Sequence, residues 1–257
     1  QLFARPWRFT KMQLLFGLGC VSLMVGGFVV VSRSFLSSSD SCKVSFGTYK
    51  GHQYTTTSTV GKPICWIESK WMRVQQHAVK FENSASIIRD WLWIDYHDRI
   101  NVLVEAPSQT RKERLFWVFE QSKYALEGRT SKAIIGGIME PGEVAVDAAK
   151  REVLEEMHVE CEEMHLLGRF RTDVNRGMGW VHGFLAAHCK KTNKRTKEEG
   201  EEVVGEADVE RQDLKTLTLT ELRDAARNGD FLEVQWSNTV SLALLHPELM
   251  GKRDCYN

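Results

Sequence analysis

"PGEVAVDAAKREVLEEMHVE", Pro141 to Glu160, gathers Glu143, Asp147, Glu152, Glu155, Glu156 and Glu160 into twenty residues of a chain whose formal net charge is zero. Read at helical period, Glu152, Glu155 and Glu156 stand at i, i+3 and i+4, so three carboxylates share one face. Val146, Ala149, Val153 and Met157 form an adjoining apolar stripe that would seat the helix on a core. Like charges at this spacing repel, by roughly 0.2–0.5 kcal/mol per pair. On a half-buried edge they also raise one another's pKa unless a cation neutralises them. Mg²⁺ or Mn²⁺ suits that role, because hard divalent ions take carboxylate oxygens. Arg151, four residues before Glu155, can hold that carboxylate in a fixed orientation. The spacing predicts a helix from about Val144 to Met157, with His158 at its end in the left-handed conformation that usually selects glycine. An isolated E-x-x-E-E is more often a solvated acidic face, so the residues around it must decide.

They do. Gly137, five residues, Glu143, seven residues and then "REVLEE" (Arg151–Glu156) match the pattern G-x5-E-x7-R-E-U-x-E-E-x-G-U, where U is aliphatic. Val153 and Val159 fill the aliphatic positions, and only His158 departs. In this box the chain resembles the Nudix hydrolase superfamily. "FWVFEQSKY" and then "IIGGIMEPGE" look like the approach to the box in ADP-ribose and ADP-sugar pyrophosphatases. "LLGRFRTDVNRGMGWVHGFLAAHC" resembles the strand, loop and strand that come after the box in those enzymes. The likeness runs from about Cys65 to Leu249 and is far less specific outside the box. Ala133-Ile134-Ile135 stand where that branch often has Glu-Leu-Pro, which bears on the substrate rather than the chemistry.

The resemblance implies an α+β fold, a Nudix-type α/β/α sandwich with a mixed sheet. It implies metal-dependent hydrolysis of the pyrophosphate of a nucleoside diphosphate linked to another moiety, ADP-ribose or a nucleotide sugar, with release of a nucleoside monophosphate. Metal binding falls on Glu152 and Glu156, with Glu143 as a further metal contact or a support behind it. Glu155 becomes a ligand or water-orienting group, and Arg151 its orienting partner. A general base on a later loop points to Glu198, Glu199, Glu201, Glu202 and Glu206, of which Glu202 is our choice. Gly136-Gly137 reads as a turn that lets backbone approach the phosphates, and Lys123 as a substrate contact. A homodimer is implied by the ADP-ribose branch alone. The competing class is a Nudix-fold nucleotide-binding module without catalysis, and retention of every box carboxylate counts against it.

Elsewhere the chain sets bounds. Its 257 residues, 42% hydrophobic and 26% charged, can bury a sizeable core, and the charge balance gives no reason to expect nucleic acid as a partner. Residues 12–31, "MQLLFGLGCVSLMVGGFVVV", are long enough to cross a bilayer. They read as a single-pass membrane anchor within an N-terminal segment 1–34, a cleaved signal being the alternative. Arg5, Arg8 and Lys11 before it outnumber Arg33 and Lys43 after it, which mildly favours a cytoplasmic N-terminus. A Ser-rich linker over 35–42 would join it to one catalytic domain, 43–257. The six cysteines form no C-x-x-C pair; a disulfide could form if the main domain faced an oxidising compartment, with at least one of the five cysteines beyond the N-terminal segment left unpaired, and cysteine usage does not fix the compartment. His182, His188 and Cys189 show no metal-ligand spacing and read as structural.

Strands are expected across Cys65–Glu105, in Glu113–Tyr124, and as a pair over Leu166–Arg171 and Trp180–Cys189. Lys190–Glu202 reads as a charged loop. Helices are expected from Thr220 to Gly229 and from Asn238 to Leu245.

Overall fold

β-branched and aromatic residues dominate the first half of the domain, and they form strands. The computed structural model describes residues 41–107, 113–192 and 212–250. The expected anchor at 12–31, the Ser-rich linker up to residue 40, and Glu198 to Glu206 with the chosen base Glu202 all lie outside those residues. Among the described residues, no helix is long and apolar enough to cross a membrane.

The strands are β1 (Val44–Ser45), β2 (Ile64–Glu68), β3 (Met72–Val79), β4 (Ile88–Tyr96), β5 (Arg99–Glu105), β6 (Leu115–Ser122), β7 (Thr130–Ala133) and β8 (Ile135–Ile138). Helix α1 (Ala145–Met157) precedes a long hairpin, β9 (Val159–Asp173) and β10 (Gly177–Lys191), and then come β11 (Gln212–Thr218), α2 (Leu219–Asn228) and α3 (Val234–Leu244). The described strands join in one sheet ordered β1-β2-β3-β4-β10-β5-β6-β11, with β8 on β5, β7 on β6 and β9 on β10. It is mixed: β10 runs parallel to β5 from Val181↔Arg99 to Ala186↔Val104 and antiparallel to β9. Ile100 to Val104 are all buried, without alternation, because β5 is covered on both faces. Both α1 and α3 pack against it. This mixed sheet with packed helices fits the expected α+β class.

Three local expectations are corrected. Gly136-Gly137 is not a turn: it lies in β8, paired with Asn101 and Ile100 of β5, and the tight turn falls at Glu140–Glu143. Helix α2 starts at Leu219, because Thr218 rather than Thr220 caps it, exchanging hydrogen bonds with Glu221 in a capping box. Helix α3 starts at Val234, four residues before the expected Asn238, because Trp236, Val240 and Ala243 make one buried stripe. The β9–β10 hairpin is also longer at both ends than expected.

Helix α1 ends as its sequence implies. His158 adopts φ 52° and ψ 44°, and its N–H donates to Leu154 O at 3.0 Å. A side chain in this region costs roughly 1 kcal/mol relative to glycine, so His158→Gly should raise stability by about 1 kcal/mol. For a domain of this size that raises Tm by roughly 2–4 °C. Turnover should stay unchanged, and a large change in it would give His158 a role beyond the cap.

Two disulfides form: Cys42–Cys65, and Cys161–Cys189 between directly opposed residues of β9 and β10. They close sequence separations of 23 and 28 residues. Loop-closure entropy gives about 3 kcal/mol for each, so thermal unfolding with and without reductant should differ by several degrees or more. Identical curves would show that the crosslinks contribute nothing to stability.

Candidate active site

The box residues assemble around one guanidinium. Burial alone would disfavour the Arg151 charge, but the hydrogen bonds it donates to Glu143 and the charge of Glu152 outweigh that and hold the proton more firmly. Arg151 Nε donates to Glu143 Oε1 at 2.9 Å and Nη2 to Glu143 Oε2 at 3.0 Å, a bidentate pair. Nη2 also donates to the carbonyl of Ile138 at 3.1 Å. Nη1 reaches Glu152 Oε1 at 2.8 Å and Glu155 Oε2 at 3.4 Å. Glu143 Oε2 further accepts the N–H of Glu140 at 2.9 Å, which closes the turn before α1. Burial, the largest single influence, would raise the Glu143 pKa, yet the hydrogen bonds from Arg151 and the Glu140 N–H together with the Arg151 charge outweigh it and hold the carboxyl below the usual carboxylate range. Both oxygens of Glu143 are therefore engaged in fastening the loop to the helix.

Opposite the helix runs β8. A Cβ added at Gly137 would lie 2.1 Å from Glu152 Cδ and 2.2 Å from Glu152 Oε1, so this glycine makes room for a carboxylate. The space that sequence assigns to a phosphate is taken by Glu152. A cleft of about 170 Å³ opens beside this pair, and Lys123, Gly136, Gly137 and Glu156 all line it. Lys123, the substrate contact expected from sequence, thus shares one cavity with the box glycines and the last box glutamate. The helix face beside the carboxylates is buried through Ala149, Val153 and Met157 of the expected stripe, with Ala148 added and Val146 partly buried. Glu152, Glu155 and Glu156 offer hard oxygen donors, the chemistry Mg²⁺ or Mn²⁺ requires. Among the described residues no three such side chains yet converge on one point, since Arg151 draws Glu152 and Glu155 to itself.

Sequence reading missed part of the wall of this cleft. Arg99 and Asn101 on β5, Gln121 on β6, and Glu233 and Trp236 at the start of α3 all line it. Burial pushes the Glu233 carboxyl up, and the nearby charges of Arg99 and Lys123 only partly offset this. These residues come from strands and a helix far apart in sequence and share no motif; only the sheet order brings them together.

A second opening of about 500 Å³ lies on the other side of the Glu140–Glu143 turn, with Lys50, His52, Tyr54, Asp98 and Arg169 on its walls. Asp98 organises it: Oδ1 accepts the Tyr54 hydroxyl at 3.0 Å and the Trp180 N–H at 2.9 Å. The Arg169 guanidinium stacks on Trp180 at 4.2 Å, and Arg171 lies over the same ring at 4.4 Å. His182 is part-buried, and burial lowers its pKa, while His188 is exposed; Cys189 is held in its disulfide.

The family model for the NUDIX domain matches residues 95–234, more than half of the chain. A solved structure described as an ADP compounds hydrolase superposes with a TM-score of 0.52 at 15% identity. The match covers 75% of this chain and 93% of that one, a likeness of fold. No curated protein matches by sequence.

Proposed function

The chain belongs to the Nudix family, and from that premise we propose that it hydrolyses the pyrophosphate of a nucleoside diphosphate linked to another moiety, ADP-ribose or a nucleotide sugar, releasing a nucleoside monophosphate. The observation that carries this reading is the Arg151 network: it ties Glu143 of the preceding turn to Glu152 and Glu155 on one helix edge whose neighbour Glu156 faces a cleft. Glu152 and Glu156 would hold Mg²⁺ or Mn²⁺, with Glu155 as a further ligand. Such ions, when bound, supply charge neutralisation at the phosphates and a more acidic water. The chain's own contribution is orientation. Arg151 holds Glu152 and Glu155 in place, Glu143 ties the turn to the helix, and Lys123 offers a cation toward phosphate oxygens. Glu202 keeps its place as the proposed general base.

The test is a nucleotide screen on the purified full-length chain with Mg²⁺ and with EDTA, with monophosphate release read by chromatography. Release that depends on Mg²⁺ and is abolished by EDTA is expected. No release from any diphosphate-linked substrate with Mg²⁺ present would overturn the reading.

We also propose attachment to a membrane through residues 12–31, with the catalytic domain on the side away from the cytoplasm. The charge bias around that segment supports this, and so do the two disulfides, which persist in oxidising compartments. Protease protection of the domain in sealed vesicles is expected, and digestion without detergent would refute that side. A homodimer through β2–β4 is proposed from the exposed Ile64, Ile67 and Leu92. Light scattering of the chain in solution reads it directly.

A further inference from the structure

The cleft beside Glu156 has an unusual wall. Asn101 is 3% and Gln121 5% exposed, and Asn101 Oδ1, Gln121 Oε1 and Arg99 Nε have no hydrogen-bond partner among the described residues. A buried polar atom left unpaired costs about 1–3 kcal/mol, and each such atom in a native fold calls for a reason. Three of them line one cavity. Asn101 Nδ2 donates to the carbonyl of Ile135 at 3.3 Å, which fixes the amide so that Oδ1 is the free end. The terminal torsion of a glutamine is only softly restrained, so a small rotation brings the Gln121 amide into the cleft.

The geometry points to Asn101, Gln121 and Arg99 as a subsite for the hydroxyl-bearing moiety, a sugar, that the substrate carries on its diphosphate. This rests on the pyrophosphatase reading and names its substrate class. The balance of donors and acceptors decides it. The wall presents two amide oxygens and the Glu233 carboxylate as acceptors, with Arg99 as a donor. A hydroxyl both donates and accepts and turns freely, so adjacent ring hydroxyls can satisfy all of them. A phosphate offers acceptors alone; it would leave both amides unpaired and approach a carboxylate. A nucleobase would be held by an open aromatic face, but Phe119 and Trp236 are 8% and 7% exposed, committed to the core. The volume of about 170 Å³ admits one ring, whereas sites for whole drug-sized ligands run to roughly 300–1,000 Å³. Glu156 at its edge places that ring next to the proposed hydrolytic centre.

The test compares the full-length parent with Gln121→Met and Asn101→Leu on two substrate classes, ADP-ribose and UDP-glucose against ATP and UTP. Losing one hydrogen bond should raise KM for the sugar-linked pair by up to about tenfold. kcat should change little, and the triphosphates should be unaffected. Gln121→Met also removes an unpaired buried oxygen, so its Tm should stay level or rise. Equal losses on both classes would place the nucleoside in this cleft and overturn the inference. No change on either would leave water as its occupant, with the same consequence. Failure of the parent to turn over any diphosphate-linked substrate would sink the pyrophosphatase reading instead. In that case calorimetric binding of UDP-glucose against UTP, in parent and variants, decides the subsite by the same criterion.

Discussion

Arg151→Met should lower stability by about 2–4 kcal/mol and reduce turnover roughly 10–100-fold. Breaking a buried ion pair by removing one partner costs about 3–5 kcal/mol, because the other charge is left uncompensated. The Arg151 side chain is about a quarter exposed and its partners less, so water screens part of that cost. Three carboxylates lose their common cation at once. Glu143 loses both of its charged hydrogen bonds and with them its hold on the turn, while Glu152 and Glu155 repel each other across one helical turn. The loss of turnover is the effect expected if Glu152 and Glu155, which Arg151 orients, serve as the proposed metal ligands. Methionine keeps the length and helix propensity of the stem, so the measured loss belongs to the charge. Chemical denaturation and steady-state kinetics check both numbers, and a variant with parental stability would mean the network is surface decoration.

The same network gives a pH dependence with a defined sign. Although burial opposes it, Arg151 depresses the folded-state pKa of Glu143. Its stabilisation is therefore fully present above the ordinary carboxylate pKa, and it is lost as pH falls through the lower folded value. In Arg151→Met that increment is absent, so the gap in stability between parent and variant should narrow in acid.

The box was legible because its chemistry and its helix obey the same period: carboxylates three and four apart face one way and the apolar stripe another, so the sequence displays both at once. The His158 cap could be read for the same reason, since a helix terminus is a local event. The strand nature of Gly136-Gly137 was hidden. Paired glycines signal a turn by local propensity, and only pairing with Ile100 and Asn101 of β5 makes them a strand. The amide wall of the cleft could not be read at all. Asn101 and Gln121 look like ordinary strand residues until the sheet sets β5 beside β6 and α3, packed on β5, brings its first turn to the same cleft. The Cys161–Cys189 disulfide was obscured likewise, because the opposition of these residues is a fact of hairpin register.

Gly137→Ala tests the box at a residue that the sequence assigns to phosphate approach and the structure sets against Glu152. The new methyl would stand 2.1 Å from Glu152 Cδ and 2.4 Å from its Cγ, far inside any real contact, so the glutamate must move. It is a flexible side chain and can do so at modest cost to the fold, about 1–2 kcal/mol, in the range of mild overpacking. What it cannot keep is its place: the 2.8 Å bond to Arg151 Nη1 breaks, and a carboxylate that would hold the metal leaves the helix edge. Losing one preorganised charged group of an active site costs roughly 10²–10³-fold in kcat, and that is the expected loss here. Gly136→Ala is the built-in control. Its Cβ meets Asn101 Nδ2 at 3.1 Å, a contact relieved by a few tenths of an ångström, and Ile100 O and Trp236 Nε1 at an ordinary 3.9 Å, so its turnover should stay within about tenfold of the parent. If glycine were needed at both positions for backbone to approach a phosphate, the two alanines would do equal damage. Equal losses in kcat at matched Tm would therefore overturn the role assigned to Gly137, whereas a loss confined to Gly137→Ala ties that glycine to Glu152.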